Sequence, residues 1–156
     1  MLTLVTQELE FMRVPGDATV TGSMVNNYVK QGVIPAPRKK RYTRRHLASL
    51  LFVCAFKRVF SIAQVKQLME RIYASGADFA WLYDEACGLL ERSLAACFDG
   101  ADARESLREE GVGLAEAAER SLDPELERLI EASVASLATK VFVEQTLLLA
   151  DGGEQR

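Results

Sequence analysis

Six cations fall within eight residues of this chain: Arg38, Lys39, Lys40, Arg41, Arg44 and Arg45. A guanidinium forks onto paired oxygens and an ammonium supplies a point charge, so the chemistry on offer is the capture of a polyanion. A polar run lies just upstream, "SMVNNYVK" from Ser23 to Lys30. On a helix of that register Met24, Val25, Tyr28 and Val29 turn inward, and Ser23, Asn26, Asn27 and Lys30 share the outer side. An asparagine amide there bonds an adenine edge bidentately or a phosphate oxygen, and a helix of two turns fits a major groove. The same amides also serve as plain structural or capping groups. Tyr28 and Tyr42 fit core packing better than base stacking.

Other chemistries find little to work with. His46 is the only histidine, so triad and histidine-metal chemistry are not expected, and the ring reads as a surface or partly satisfied group. The three cysteines, Cys54, Cys87 and Cys97, are odd in number and sit in apolar patterns, which suits buried free thiols in a reducing compartment. Cys87 and Cys97 lie ten apart on one helical pattern, on different sides, and make no metal pair. There is no phosphate loop and no nucleophile with a base. Phe79, Trp81 and Tyr83 suit a ligand pocket or a core face. No cofactor, no metal and no enzymatic activity are expected.

The charge distribution separates the chain into two parts. The whole carries 19 Lys+Arg against 22 Asp+Glu, a net −3. The 48 residues from Ser23 to Glu70 hold ten of the cations and one acid, a net +9. The other 108 residues keep nine cations and 21 acids, a net −12. At 156 residues, with 49% apolar side chains, the chain can bury a core without a disulfide or metal. No run of about 18 continuous apolar residues occurs, so no membrane span is expected. The start "MLTLVTQELEF" lacks a basic leader and a cleavage site, and a soluble cytoplasmic protein is expected.

The elements that must position these residues are mostly helical. Thr3 to Met12 reads as a short amphipathic helix, and "VPGDATVTG" as a loop. A second helix over Ser23 to Gln31 stops at Gly32. Pro35 and Pro37 bar "VIPAPRKKRY" from helix and make it an extended basic excursion. Thr43 caps a third helix, Arg44 to Phe60, apolar on most sides and so central. Ser61 and Gln64 form a capping box for a fourth. Asp78 to Phe98 is helical, with Phe79, Leu82, Ala86, Leu90, Leu94 and Cys97 on one face. A polar loop with a weak helical turn, or a partly mobile segment, is expected over "DGADARESLREEGVG". Asp123-Pro124 starts a long helix to about Leu149 whose apolar face holds Leu126, Ile130, Val134, Leu137, Val141 and Leu148. Arg44 and Arg45 sit in a first turn where the helix dipole disfavours cations, a hint of an external anion.

This order of elements resembles the MerR-type winged helix. In that family a recognition helix ends in tyrosine, a charged residue and glycine, and a proline step, an arginine-rich wing and a leucine-rich helix follow. The stretch "NNYVKQGVIPAPRKKRYTRRHLASLLFVCAFKRVFSIAQVKQLM" keeps that order. It is more similar still to a bacterial family called domain of unknown function 1836, through "GSMVNNYVK", "KKRY" and the "SI" helix start. The resemblance covers about Val20 to Ile72. The chain departs from the pattern in a short wing without the usual glycine and in a long loop before the recognition helix.

The resemblance implies a mostly α fold, a winged helix-turn-helix with a small β wing in residues 1–74, and an acidic all-helical region over 75–156 for dimerisation or effector contacts. It implies a bacterial transcriptional regulator binding double-stranded DNA as a homodimer. Ser23, Asn26, Asn27 and Lys30 would face the groove, Arg38, Lys39, Lys40, Arg41 and Tyr42 would form the wing, and Arg44 and Arg45 would clamp phosphate. A small-molecule or protein effector is compatible with this. The alternative is a non-enzymatic interaction module whose basic face docks an acidic partner or the acidic half of another copy. The long C-terminal helix pairs either with a symmetry mate or with Asp78–Phe98 of its own chain.

Overall fold

The computed structural model describes residues 1–39, 41–100 and 122–153. Lys40, and the expected polar loop beyond Gly100, lie outside the described residues. The chain is mostly helical and divides into two compact units, Met1–Ala80 and Trp81–Arg156.

In the first unit, helix α1 (Leu2–Glu8) and a 3-10 turn (Glu10–Met12) bury Val5 and Met12 and leave Leu4 and Phe11 exposed. Asp17 then anchors the connecting loop. It accepts the Val14 N–H at 3.0 Å and pairs with Arg58 beyond the far end of α3. Helix α2 (Gly22–Lys30) is capped by Thr21, whose hydroxyl accepts the Met24 N–H at 3.2 Å. It ends in a Schellman motif. Val33 N–H reaches the Tyr28 carbonyl at 2.9 Å, Gly32 N–H reaches that of Val29 at 3.0 Å, and Gly32 holds φ +70°. The motif turns Val33 and Ile34 straight into the core.

Helix α3 (Arg44–Phe56) is the hub. Its seven residues from Leu50 to Phe56 are all buried, and α1 packs on it. The expected extension to Phe60 gives way at Lys57 to tighter turns, with Arg58 N–H on Ala55 and Val59 N–H on Phe56. Helix α4 (Ile62–Ala74) starts on the anticipated capping box. Ser61 accepts the Gln64 N–H at 3.2 Å while Gln64 accepts the Ser61 N–H at 2.9 Å. Val65, Leu68, Met69 and Ile72 are its buried stripe.

Where a small β wing is expected, the described residues hold no strand. The excursion narrows to one antiparallel bridge, Arg38 to Arg41, closed by the Arg41 N–H on the Arg38 carbonyl at 2.9 Å. Pro35 and Pro37 have no N–H to give a ladder, which limits the pairing. Lys39 takes φ +48°, the left-handed conformation that tight hairpin turns demand.

Helix α5 (Phe79–Phe98) opens on Asp78, whose carboxylate accepts the Ala80 N–H at 2.9 Å. From Trp81 it belongs to the second unit. There its buried residues are Leu82, Ala86, Leu89, Ser93 and Ala96. Leu90, Leu94 and Cys97, expected on that face, are only half-buried. Steps of four turn 400° and drift off a face, whereas alternating steps of four and three stay on it. Helix α6 (Pro124–Gly153) starts on Asp123, which accepts the Leu126 N–H at 3.2 Å. Of its expected face, Leu126, Ile130, Val134, Leu137 and Val141 are buried, and Leu148 is not. Phe98 of α5 meets Phe142 of α6 edge-to-face at 5.2 Å, so within this unit the two helices touch. By length and composition α6 could cross a membrane, with a mean hydropathy of 1.2 over its most apolar 18 residues. The expectation of no span counted unbroken apolar runs, which Ser, Thr, Lys and Glu interrupt here.

Candidate functional site

Every described residue of the basic constellation reaches solvent. Ser23, Asn26, Asn27 and Lys30 on α2 are exposed, while Val25 and Tyr28 on the opposite side are buried. Asn27 is partly engaged, its side-chain oxygen accepting from Gln31 at 3.3 Å, which leaves its amide hydrogens available. Arg38, Lys39, Arg41, Tyr42, Arg44 and Arg45 are exposed as well. Tyr42 is thus not the core ring expected of it. It stands 39% exposed with its edge against His46.

The decisive contrast lies in how the cations are partnered. Between Asp17 and Glu70 the sequence holds no acid at all. Asp17 is taken by Arg58, and Glu70 lies 3.7 Å from Lys66. Lys57 donates to the Tyr28 hydroxyl at 3.4 Å. Among the described residues this leaves Lys30, Arg38, Lys39, Arg41, Arg44 and Arg45 with no carboxylate in salt-bridge range. The local +9 is therefore neutralised where it serves packing and left open on α2, the turn and the start of α3.

The fold sorts these residues into two groups. Tyr28 of α2 meets Lys57, just past the C-terminal end of α3. The basic turn is fastened at the N-terminal end of α3 through His46. His46 and Lys57 are eleven residues apart, about 16 Å along the helix direction.

Arg45 is held rather than loose. Its guanidinium lies 5.3 Å from the Tyr73 ring centre and 5.8 Å from that of Phe79. Tyr73 donates to Ser49 at 2.8 Å, and Ser49 donates to the Arg45 carbonyl at 2.8 Å. Burial pushes the Tyr73 hydroxyl above its ordinary range, against the opposing pull of Ser49 and Arg45, so it stays a donor. Phe79 also packs on Phe52, which settles it as a core ring. Sequence patterning missed this shelf because Arg45, Tyr73 and Phe79 share no short-range period.

His46 is the larger correction. It is buried, not at the surface, and bonded on both ring nitrogens. Nδ1 accepts the Thr43 N–H at 3.0 Å and lies 2.7 Å from the Thr43 hydroxyl, and Nε2 lies 3.4 Å from the Ala36 carbonyl. The signal was present: Thr43 and His46 stand at the spacing of a capping box, with histidine in the place of glutamate or glutamine. Cys54 is buried as expected. Among the described residues no three His, Cys, Asp or Glu converge as a metal set.

The first unit is thus a small helical body that presents cations without carboxylate partners from two helices and a tight turn. The chain belongs to the family described as Domain of unknown function (DUF1836), whose model matches residues 1–85. No curated protein and no solved structure matches it.

Proposed function

We propose that this protein is a transcriptional regulator that binds duplex DNA, with the MerR-like winged helix as its framework. The observation that carries this reading is the set of exposed cations without carboxylate partners. An excess charge left open on one stretch of fold costs self-repulsion unless an outside anion offsets it. Asn26, Asn27 and Lys30 meet the major groove from α2. The turn, with Arg38, Lys39, Lys40 and Arg41, and the start of α3, with Arg44, reach phosphates flanking that groove. Arg45, braced on Tyr73 and Phe79, adds a cation of fixed direction.

The acidic C-terminal unit joins two copies in this reading. Its support is that α6 leaves Leu129, Val143, Leu147 and Leu149 exposed, the first three within one 40° sector. The net −10 of residues 81–156, seven cations against 17 acids, would keep that unit off the phosphates and orient the molecule on DNA.

The test is to change Arg38, Lys39, Lys40 and Arg41 together to alanine. Loss of duplex binding with unchanged mass by light scattering supports the proposal. Unchanged binding refutes it, and loss of self-association instead favours a basic face that docks an acidic protein surface.

A further inference from the structure

Arg45 is tied to Tyr73 at both ends. Its backbone carbonyl accepts the Ser49 hydroxyl at 2.8 Å, and Ser49 in turn accepts the Tyr73 hydroxyl at 2.8 Å. Its guanidinium, the far end of the side chain, returns to lie over the Tyr73 ring, 5.3 Å from the centre. Phe79 closes the seat from the first position of α5. The guanidinium carbon is 5.8 Å from the Phe79 ring centre, and the two ring centres are 5.7 Å apart. Three nearly equal separations put the cation over the notch between the rings, within cation–π reach of both.

The seat is rigid and its occupant is open. Ser49 and Phe79 are buried, Tyr73 is half-buried, and Phe79 also packs on Phe52. Arg45 is exposed, with no carboxylate in salt-bridge range among the described residues. It stands in the first turn of α3, where the helix dipole opposes a cation, so the rings hold the charge against that field. A ring face attracts the charge without using an N–H as a carboxylate would, and the donors of the planar fork stay available to an outside oxygen. Among the described residues Lys30, Arg38, Lys39, Arg41 and Arg44 have no such seat. A loose cation is ordered only when it meets a phosphate, whereas Arg45 is ordered when the chain folds. Tyr73 and Phe79 lie beyond Ile72, where the winged-helix resemblance ends, and inside the residues 1–85 that the family model matches.

We propose that Tyr73 and Phe79 are positioning residues for Arg45, and that they make it a pre-ordered guanidinium ligand for one backbone phosphate, while the cations of the turn act as loosely held charge. The phosphate rests on the DNA-binding reading; the seat does not. Charge alone would let any cation at position 45 serve equally. A seated fork requires arginine there and a ring at position 73.

The test is a double-mutant cycle of Arg45→Ala and Tyr73→Leu. Binding to a random duplex is followed by fluorescence anisotropy at about 50 mM salt. Tyr73→Leu alters no charge. It is expected to weaken binding about fivefold while Arg45 is present, the loss of one pre-ordered side chain. In the Arg45→Ala background the same change should weaken binding by less than about twofold. Tyr73→Phe, which keeps the ring, should recover most of the loss. An equal loss in both backgrounds, no loss in either, or a phenylalanine as weak as leucine overturns the proposal. Arg45→Lys tests it again at an exposed position, independently of whether Tyr73→Leu folds. It keeps the charge and should still bind about fivefold more weakly, and wild-type affinity there overturns the proposal. The free protein gives a reading without DNA. The Arg45 Nε–H resonance should be shifted upfield by the two rings and should move back towards its ordinary position in Tyr73→Leu, or in Arg45-neighbouring Phe79→Leu. A resonance indifferent to both changes also overturns the proposal. If the resonance responds and the wild type binds no duplex, the seat stands and the DNA reading falls.

Discussion

Asp17 does its work only as a carboxylate. Burial raises its pKa, but the Val14 N–H and the Arg58 guanidinium outweigh that, and the group titrates below its ordinary value. A depressed pKa contributes stability that is fully present above the unfolded carboxylate range and is lost as pH falls through the lower folded value. Asp17→Asn should therefore cost about 1–3 kcal/mol at pH 7 in urea unfolding, and less as the pH falls. An unchanged midpoint at pH 7 would show that the loop before α2 needs no anchor. Cys54 makes the opposite case. Burial pushes its thiol up to about 11 against the pull of Lys57, so the reactive thiolate is scarce at neutral pH. Mass spectrometry after iodoacetamide treatment should find Cys54 unmodified in the folded protein and modified after denaturation.

Among the elements, the helix ends were the most legible in the sequence, because capping is a local contest of hydrogen bonds. Ser61 with Gln64, Asp123 with Pro124, and Gly32 after α2 all act as their residue types require. Gly32→Ala should destabilise the first unit by about 1–2 kcal/mol, because φ +70° crowds a Cβ. Thermal melting checks this, and no loss would mean that the Schellman turn relaxes freely. Elements that depend on partners were less legible. The buried seam of α5 runs through Leu89, Ser93 and Ala96 instead of Leu90, Leu94 and Cys97, since pure apolarity cannot rank neighbouring leucines. The wing was overestimated because two prolines count as breakers of helix and equally as breakers of ladder. The exposed side of α2 was legible from Met24, Val25, Tyr28 and Val29 as its inner side, of which Val25 and Tyr28 are buried and the other two half-buried. The reach of His46 to Ala36 and the seating of Arg45 on Tyr73 and Phe79 were not legible, because each joins residues ten or more apart in a way only the fold reveals.

At the scale of the whole molecule, a net charge of −3 describes neither half of the chain. The structure refines the sequence arithmetic by showing which cations are already matched. Arg58 and Lys66 stabilise the first unit against Asp17 and Glu70, and the open ones gather on α2, the turn and the start of α3. Those open cations set the expected physics of binding, because each phosphate they neutralise releases counterions. The direct measurement is a salt titration of binding to random duplex DNA. With about six phosphates neutralised per protomer, the logarithm of affinity should fall against the logarithm of salt with a slope of roughly −5. An affinity independent of salt, or no duplex binding at about 50 mM salt, would contradict the account.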